Sequence, residues 1–390
     1  MAEPAMPRLL YLADVPVESS QHGSALMFRA LETYPAERLR IVETGSPSEP
    51  PRRLKGVVYT SMPIGRRRWL DSRFHGEYSA WLTWRAPSRA PRVVASLRDF
   101  EVEAVTTVAH GFGWVTAAEV ARRLQVPLHL IVHDDWPRAS AIVAACRPWL
   151  ERTFSRVYRK AASRLCVSPI MAEEYERRYG VAGRLMYPSR SKDCPVFPAK
   201  TARPIGDDAM VIGYGGNSSS QMVDCLIALA SALPGSRTRL ALFGNFEEDS
   251  QRRLLAAFPG IEFHGFVPHQ EMIRGLREVA DVLFVPMSFD AAHRELSFPS
   301  KLTDYTAAGL PLLINAPPNS AAVRWAREHG DVAEIVDQPG AELLREAIDR
   351  LRKDAGRRDL LAANAVTAGR RSFDSADARA VLAAALSGTR

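Results

Sequence analysis

Short apolar runs, each followed by a stretch with helical spacing, recur along this chain, and that alternation restricts the fold more than any other property of the sequence. In the first half, Leu9–Ala13, Val105–Val108 and Leu128–Val132 read as buried strands. The segment 41–60 reads as strand, proline-rich loop and strand. Helices are predicted from about Leu26 to Tyr34 and from Val115 to Leu124. The run from Ala162 to Ser189 adds a strand at Leu165–Val167, a helix capped near Ser168 and Pro169, and a strand leading into Pro188. Strands and helices alternating at this spacing build a parallel, doubly wound sheet whose ligands sit at the carboxyl ends of the strands.

The next stretch, SRSKDCPVFPAKTARPIGDD, is rich in proline and has no periodicity, and the interdomain linker is placed there. The strand pattern then restarts at Val211–Tyr214, Leu240–Phe243, Ile261–Phe263, Val282–Val285, Leu312–Ile314 and Ala333–Val336. A chain of 390 residues exceeds the size at which a single core stops growing, so two domains are expected. The boundaries read from the sequence are 1–195 for an acceptor-side α/β domain and 206–370 for a donor domain. Residues 371–390 contain a last helix, Ser375 to Ser387, expected to return to the first domain. Two Rossmann-like sheets facing each other across a cleft suit a small ligand.

The segment from Ala280 to Ile314 carries the most chemistry. Strand Val282–Val285 is followed by a loop, a helix opening at Pro299 and Ser300 and closing at Gly309, and a second strand at Leu312–Ile314. A helix opening inside a strand-loop-helix unit presents unpaired N–H groups and the positive end of its dipole, which suits phosphate. One turn in, Asp304 is placed to accept bonds from sugar hydroxyls. The plainer alternative is a solvated helix carboxylate at Asp304 and a surface charge at Lys301.

FPSKL, the acid at 304 and the following TAAGLP resemble the donor-binding segment of the retaining GT-B glycosyltransferases of the family 4 type. In that family a Glu, seven intervening residues and a second Glu precede an AAG turn, and the second acid binds the nucleotide ribose. The resemblance therefore implies this role for Asp304 and a diphosphate contact for Ser300 and Lys301. The first acid position falls on Leu296, and Glu295 supplies that carboxylate only if the loop shifts register.

The resemblance extends over most of the chain. VTTVAHG puts His110 where the family has a histidine beside the donor sugar, and a strand's carboxyl end is a suitable place for one. His133 and Asp134 look like the family's His-Asp pair, with Asp134 orienting the acceptor. The adjoining Asp135 reads equally as a turn or N-cap residue. Gly23 matches the glycine loop of the first domain. In the second, Gly215, Gly216 and Asn217 follow the first strand where backbone would approach a ligand. The Arg and Lys that usually follow this loop are replaced by NSSSQMVD, so diphosphate neutralisation falls to Lys301, the amides near Ser300, or a cation of the basic segment. HGFVPHQEM, containing Phe266, resembles the element whose backbone reads the base, and Phe266 reads equally as a core residue. The donor implied is a UDP- or GDP-sugar. No metal or other cofactor is expected, because fixed amides and one lysine can stabilise a departing diphosphate.

Charge is concentrated. Between Arg52 and Arg92, ten basic residues face Asp71 and Glu77, a net of +8 in a chain of net +7, so the remainder is near −1. With Trp69, Trp81 and Trp84 interspersed, the segment suits an anionic membrane surface or a lipid pyrophosphate. A solvated arginine-rich face is the alternative, and nucleic acid is a less favoured partner. No apolar run approaches the roughly 20 residues of a membrane span, and the start lacks a signal peptide's apolar stretch, so a cytoplasmic protein, peripheral at most, is expected. Cys146, Cys166, Cys194 and Cys225 form no CxxC pair and read as reduced thiols. The predicted function is sugar transfer from a nucleotide sugar to a glycan, lipid-linked or small-molecule hydroxyl. Two other readings stand beside it: a nucleotide-sugar epimerase of the same fold, and a catalytically impaired nucleotide-binding partner subunit.

Overall fold

The computed structural model of the chain describes residues 6–19, 22–216, 218–290 and 295–388. It divides into two compact units, one containing the chain up to Ser189 together with the stretch from Ser375, the other Arg190–Asp374. Each unit is built on one parallel sheet. Unit 1 contains β1 (Leu9–Ala13), β2 (Leu39–Glu43), β3 (Val58–Ser61), β4 (Ala104–Val108), β5 (Leu128–Val132), β6 (Ser163–Cys166) and β7 (Arg184–Leu185), in the order β3-β2-β1-β4-β5-β6-β7. Unit 2 contains β8 (Met210–Gly215), β9 (Thr238–Phe243), β10 (Ile261–Gly265), β11 (Val282–Pro286), β12 (Leu312–Asn315) and β13 (Ala333–Val336), in the order β10-β9-β8-β11-β12-β13.

Side-chain alternation in β1 explains why a fully apolar strand is needed at its centre. Leu9, Tyr11 and Ala13 face one layer, where they meet Met27 and Leu31 of helix His22–Leu31 and Leu382 of helix Ser375–Leu386. Leu10 and Leu12 face the other, against Ala90, Val93, Ala117 and Val120. Both faces are covered, so every residue of the strand is buried. In unit 2 a single cluster joins Ile212, Leu240, Leu242 and Phe284 of the sheet to Leu226, Leu254, Leu344 and Ile348 of its helices.

Most predicted elements lie within a residue or two of the observed ones. Helix His22–Leu31 starts earlier than the apolar pattern indicated, because its first turn holds small residues that pack rather than repeat. A Cβ at Gly23 would lie 3.1 Å from His133 Cε1. The strand expected to run into Pro188 is only the two-residue edge β7. The basic segment is helical, at Arg67–Leu70, His75–Arg85 and Ala90–Ala95. The cap at Ser168 is formed, its hydroxyl accepting from the Met171 N–H at 3.1 Å. No disulfide joins any of the four cysteines. Among the described residues no helix is long and apolar enough to cross a membrane.

The proline-rich stretch after Ser189 is an ordered strap on unit 2. Buried Arg190 donates from Nε to the Thr303 carbonyl (2.7 Å) and from a terminal nitrogen to the Thr306 hydroxyl (2.6 Å). The Phe197 and Lys200 N–H groups donate to the carbonyls of Ala307 (2.8 Å) and Gly309 (2.7 Å). Gly309, at φ +71°, closes helix Ser300–Ala308 in the left-handed region, and a Cβ there would also strike the Pro198 carbonyl. The strap thereby fixes the helix that carries Lys301 and Asp304.

Candidate functional site

Both sheets reverse direction at the same point in their strand order, between β1 and β4 and between β8 and β11. At such switch points the connecting loops diverge and leave a crevice at the strands' carboxyl ends. In unit 1 the residue after β1 is Asp14 and the helix after β4 is Gly113–Leu124. The Asp14 carboxylate sits at the start of that helix, one oxygen accepting from the Phe112 N–H and the other from the Thr44 hydroxyl. Gly111, at φ +57°, and Gly113 have no room for side chains because a Cβ on either would run into Asp14 or Thr44. A helix N-terminus attracts an anion, and here the chain supplies its own.

The equivalent positions of unit 2 have the opposite content. The residue after β8 is Gly216, at φ +147°, and the helix after β11 is Ser300–Ala308. A Cβ at Gly216 would lie 2.6 Å from Cε and 2.9 Å from Nζ of Lys301. No side chain among the described residues caps the helix behind Pro299. Where unit 1 holds a carboxylate, unit 2 therefore holds, among the described residues, a glycine and a lysine. The Lys301 ammonium sits 5.0 Å above the Tyr214 ring. Burial pushes its pKa down to about 8, against the attraction of Asp304 and Cys225. A crowded cation at a helix N-terminus gives this end of unit 2 a positive field, the opposite of the Asp14 carboxylate in unit 1.

Neighbouring groups hold this arrangement in place. The Tyr305 hydroxyl accepts from the Gly215 N–H (2.7 Å) and donates to the Gly215 carbonyl (3.0 Å), tying the helix to the end of β8. Gly215 has a packing reason to be glycine, since a Cβ there would meet Met272 Sδ at 2.6 Å. Asp304, only 8% exposed, has Oδ2 2.8 Å from Nε2 of His269, the first residue of helix His269–Val279. The alternative of a solvated carboxylate at 304 is thus excluded. Thr303 also donates to the Ser300 carbonyl at 2.6 Å, tightening the first turn.

The other predicted residues are distributed as follows. Phe266, after β10, is 74% exposed, so the core reading of that residue is wrong. Leu296, at the motif's first acid position, is buried, while the adjoining Glu295 is half-buried and its carbonyl accepts from the Ala321 N–H. Asn217 lies outside the described residues.

In unit 1, β4 and β5 bring His110, His133 and Asp134 together. Asp134 Oδ2 is 3.8 Å from His110 Nδ1 and 3.4 Å from His133 Nε2. The two imidazoles meet edge to face at 5.5 Å, and His110 lies 5.3 Å from the Trp136 ring. His110 is exposed; His133 is nearly covered, and burial lowers its pKa, which favours the neutral ring. The three ligand atoms lie within 4.8 Å of one another, the one grouping among the described residues with the makings of a metal site. Asp135 is committed elsewhere, buried in a two-pronged ion pair with Arg178 at 2.6 and 3.0 Å.

Comparison with known proteins agrees with the two-sheet fold. The model of Glycosyltransferase Family 4 matches residues 34–187, all within unit 1. No curated protein sequence matches the chain. Among solved structures, the chain is similar to HepE from Anabaena in complex with UDP, at TM-score 0.70 and 13% identity over 97% of this chain and 99% of that one. HepE has also been solved with UDP-glucose. Sucrose-phosphate synthase from Thermosynechococcus elongatus matches at TM-score 0.66 and 15% identity, over 96% and 97% of the two chains. WaaG, a glycosyltransferase involved in lipopolysaccharide biosynthesis, matches at 0.65 and 15%, over 97% and 100%. The fold is GT-B. Identities this low establish the architecture and leave the chemistry to the residues.

Four contributors had no assigned role in the sequence reading: Asp14, Arg190, His269 and Tyr305. His269 stands inside HGFVPHQEM, and its approach to Asp304 is a tertiary contact that no spacing reveals. Asp14 alone left a trace, as an acid directly after a buried strand with glycines at 111 and 113 after another.

Proposed function

We propose that this chain is a glycosyltransferase that moves a sugar from a nucleoside diphosphate sugar to an acceptor hydroxyl with retention of configuration. The observation that carries the reading is the contrast between the two switch points: the first is filled by Asp14, the second presents Gly216 and Lys301 at a helix start where no capping side chain is found among the described residues. In this reading the diphosphate lies against the Ser300 amide end and Lys301. Asp304, oriented by His269, takes the ribose hydroxyls, and the loop around Phe266 lies beside the base. The leaving diphosphate gains negative charge as the glycosidic bond breaks, and a fixed ammonium and helix end stabilise that charge with little rearrangement. His110, with Asp134 and the neutral His133 behind it, contacts the donor sugar or acceptor, and Glu295 stands near the position of the missing first acid. The UDP and UDP-glucose complexes of HepE support a UDP-sugar donor, and a GDP-sugar is the other candidate. The acceptor is a glycan, lipid-linked saccharide or small metabolite, reached in a cytoplasmic setting.

Melting the protein with UDP and with GDP, then following sugar release from the matching donor, tests the reading, because a ligand bound only to the folded state raises the melting point. Stabilisation by neither nucleotide refutes it. One observation favours a second reading, an impaired nucleotide-binding partner subunit: buried Leu296 occupies the first acid position. Stabilisation by nucleotide without turnover, with donor and acceptor extracts present, selects that reading.

A further inference from the structure

Between β3 and β4 the chain spends only part of its helical surface on unit 1. Gly76, Ser79, Leu82 and Thr83 of helix His75–Arg85 are buried, as are Ala90 and Val93 of the helix that follows. The outer surface carries large rings that the core does not need: Trp69, Phe74, Trp81 and Trp84 are 41, 45, 50 and 64% exposed. Tyr78 lies 6.2 Å from Trp69 and stacks on Trp81 at 5.6 Å, so the rings form a cluster. Arginines surround it. The guanidinium of Arg73 lies 4.7 Å over Phe74 and that of Arg68 5.9 Å over Trp69. Arg67 pairs with Asp71 at 3.3 Å, whereas exposed Arg66, Arg68, Arg73, Arg85 and Arg92 have no ion pair among the described residues.

We infer that this face of unit 1 docks on an anionic lipid bilayer. Indoles prefer the headgroup level, where an apolar ring meets a wet polar edge, and arginines beside them reach lipid phosphates. Neither feature alone separates a membrane from other anions; their interleaving on three short helices does. A single-stranded nucleic acid would need open ring faces for base stacking. Here Arg68 lies over Trp69, Arg73 over Phe74, and Tyr78 stacks on Trp81, so one face of each of these rings is already taken. The docking stands on these contacts alone. Its consequence, that a lipid-linked acceptor reaches unit 1 from the membrane, rests on the glycosyltransferase reading.

Co-sedimentation of the full chain with phosphatidylcholine vesicles, with and without phosphatidylglycerol, tests the docking without requiring nucleotide. Binding is expected only with the anionic lipid and is expected to weaken as salt rises. Each arginine near the surface contributes about a fivefold factor, so Arg66→Ser, Arg68→Ser and Arg73→Ser together should weaken binding on the order of a hundredfold. Trp81→Ser with Trp84→Ser should release the protein at every salt concentration. Unchanged circular dichroism melting confirms that both variants are folded. The inference is overturned if the wild-type chain ignores anionic vesicles, binds neutral ones equally, retains its affinity in both variants, or prefers single-stranded RNA to the vesicles. A protein that binds vesicles and no nucleotide would keep this inference and lose the transferase reading; the reverse result would do the opposite.

Discussion

The pKa of Lys301 makes nucleotide affinity a function of pH in a range where most lysines are silent. Burial holds this ammonium near 8 rather than 10.5 in the free protein. A diphosphate beside it favours the charged form, so the bound state keeps the proton that the free state loses. From pH 7 to pH 9 the protonated fraction of a group titrating near 8 falls about tenfold, and the affinity for UDP should fall by the same factor. Near pH 9, binding should also take up close to one proton per nucleotide. Isothermal calorimetry in buffers of different ionisation enthalpy measures both quantities. Lys301→Met removes a charge-assisted contact of roughly 2 kcal/mol, so its affinity at pH 7 should be about thirtyfold weaker and flat with pH apart from the nucleotide's own ionisation. The variant should also be the more stable protein. A lysine whose pKa is lowered on folding is a burden, present in full below about pH 8 and relieved as pH rises from there towards 10.5. Over that interval the unfolded chain binds more protons, so stability rises with pH. The shift corresponds to a burden on the order of 3 kcal/mol, or roughly 6 to 12 °C in melting temperature at pH 7. Equal pH profiles for wild type and variant, or a variant that melts lower, would refute the assignment of Lys301 as a crowded diphosphate receptor.

The remaining expectations concern the groups around it. His269→Ala removes the imidazole beside the Asp304 carboxylate and should weaken UDP several-fold while leaving pyrophosphate affinity nearly unchanged, as competition assays can show; equal losses would remove Asp304 from the ribose. His110→Ala should lower turnover more than nucleotide affinity, and a matched loss of both would contradict a role at the sugar. Asp14→Ala uncaps helix Gly113–Leu124 and should cost about 1 to 2 kcal/mol in denaturant unfolding; an unchanged midpoint would mean that the carboxylate is not the helix's anion. Arg190→Met removes the guanidinium bonds to the Thr303 carbonyl and the Thr306 hydroxyl, a loss of roughly 2 to 3 kcal/mol that should appear together with weaker nucleotide binding. Loss of stability with nucleotide affinity intact would separate the strap from the site.

The fold was readable because its strands are short, apolar on both faces and regularly spaced. Leu128–Val132 and Ala333–Val336 coincide with β5 and β13 residue for residue, and Pro299 and Gly309 bound the helix between β11 and β12 as the sequence indicated. Lys301 and Asp304 could be singled out because a helix opening after a buried strand is a local pattern. Their environment could not be, since Asp304 is held by a histidine 35 positions away in the chain and Lys301 is crowded by a glycine of another loop. The exposure of Phe266 was equally hidden, because an aromatic ring after a strand has the same local sequence whether it points in or out.

Sequence by itself determined the two parallel sheets, the helix that begins at Ser300 and the concentration of arginine and tryptophan before β4, all of which follow from periodicity, capping and composition over a few residues. Only tertiary structure decided that Asp14 occupies one switch point while Gly216 and Lys301 meet at the other. Those residues are remote in the chain, and the field at each helix end depends on which side chain the fold carries into it.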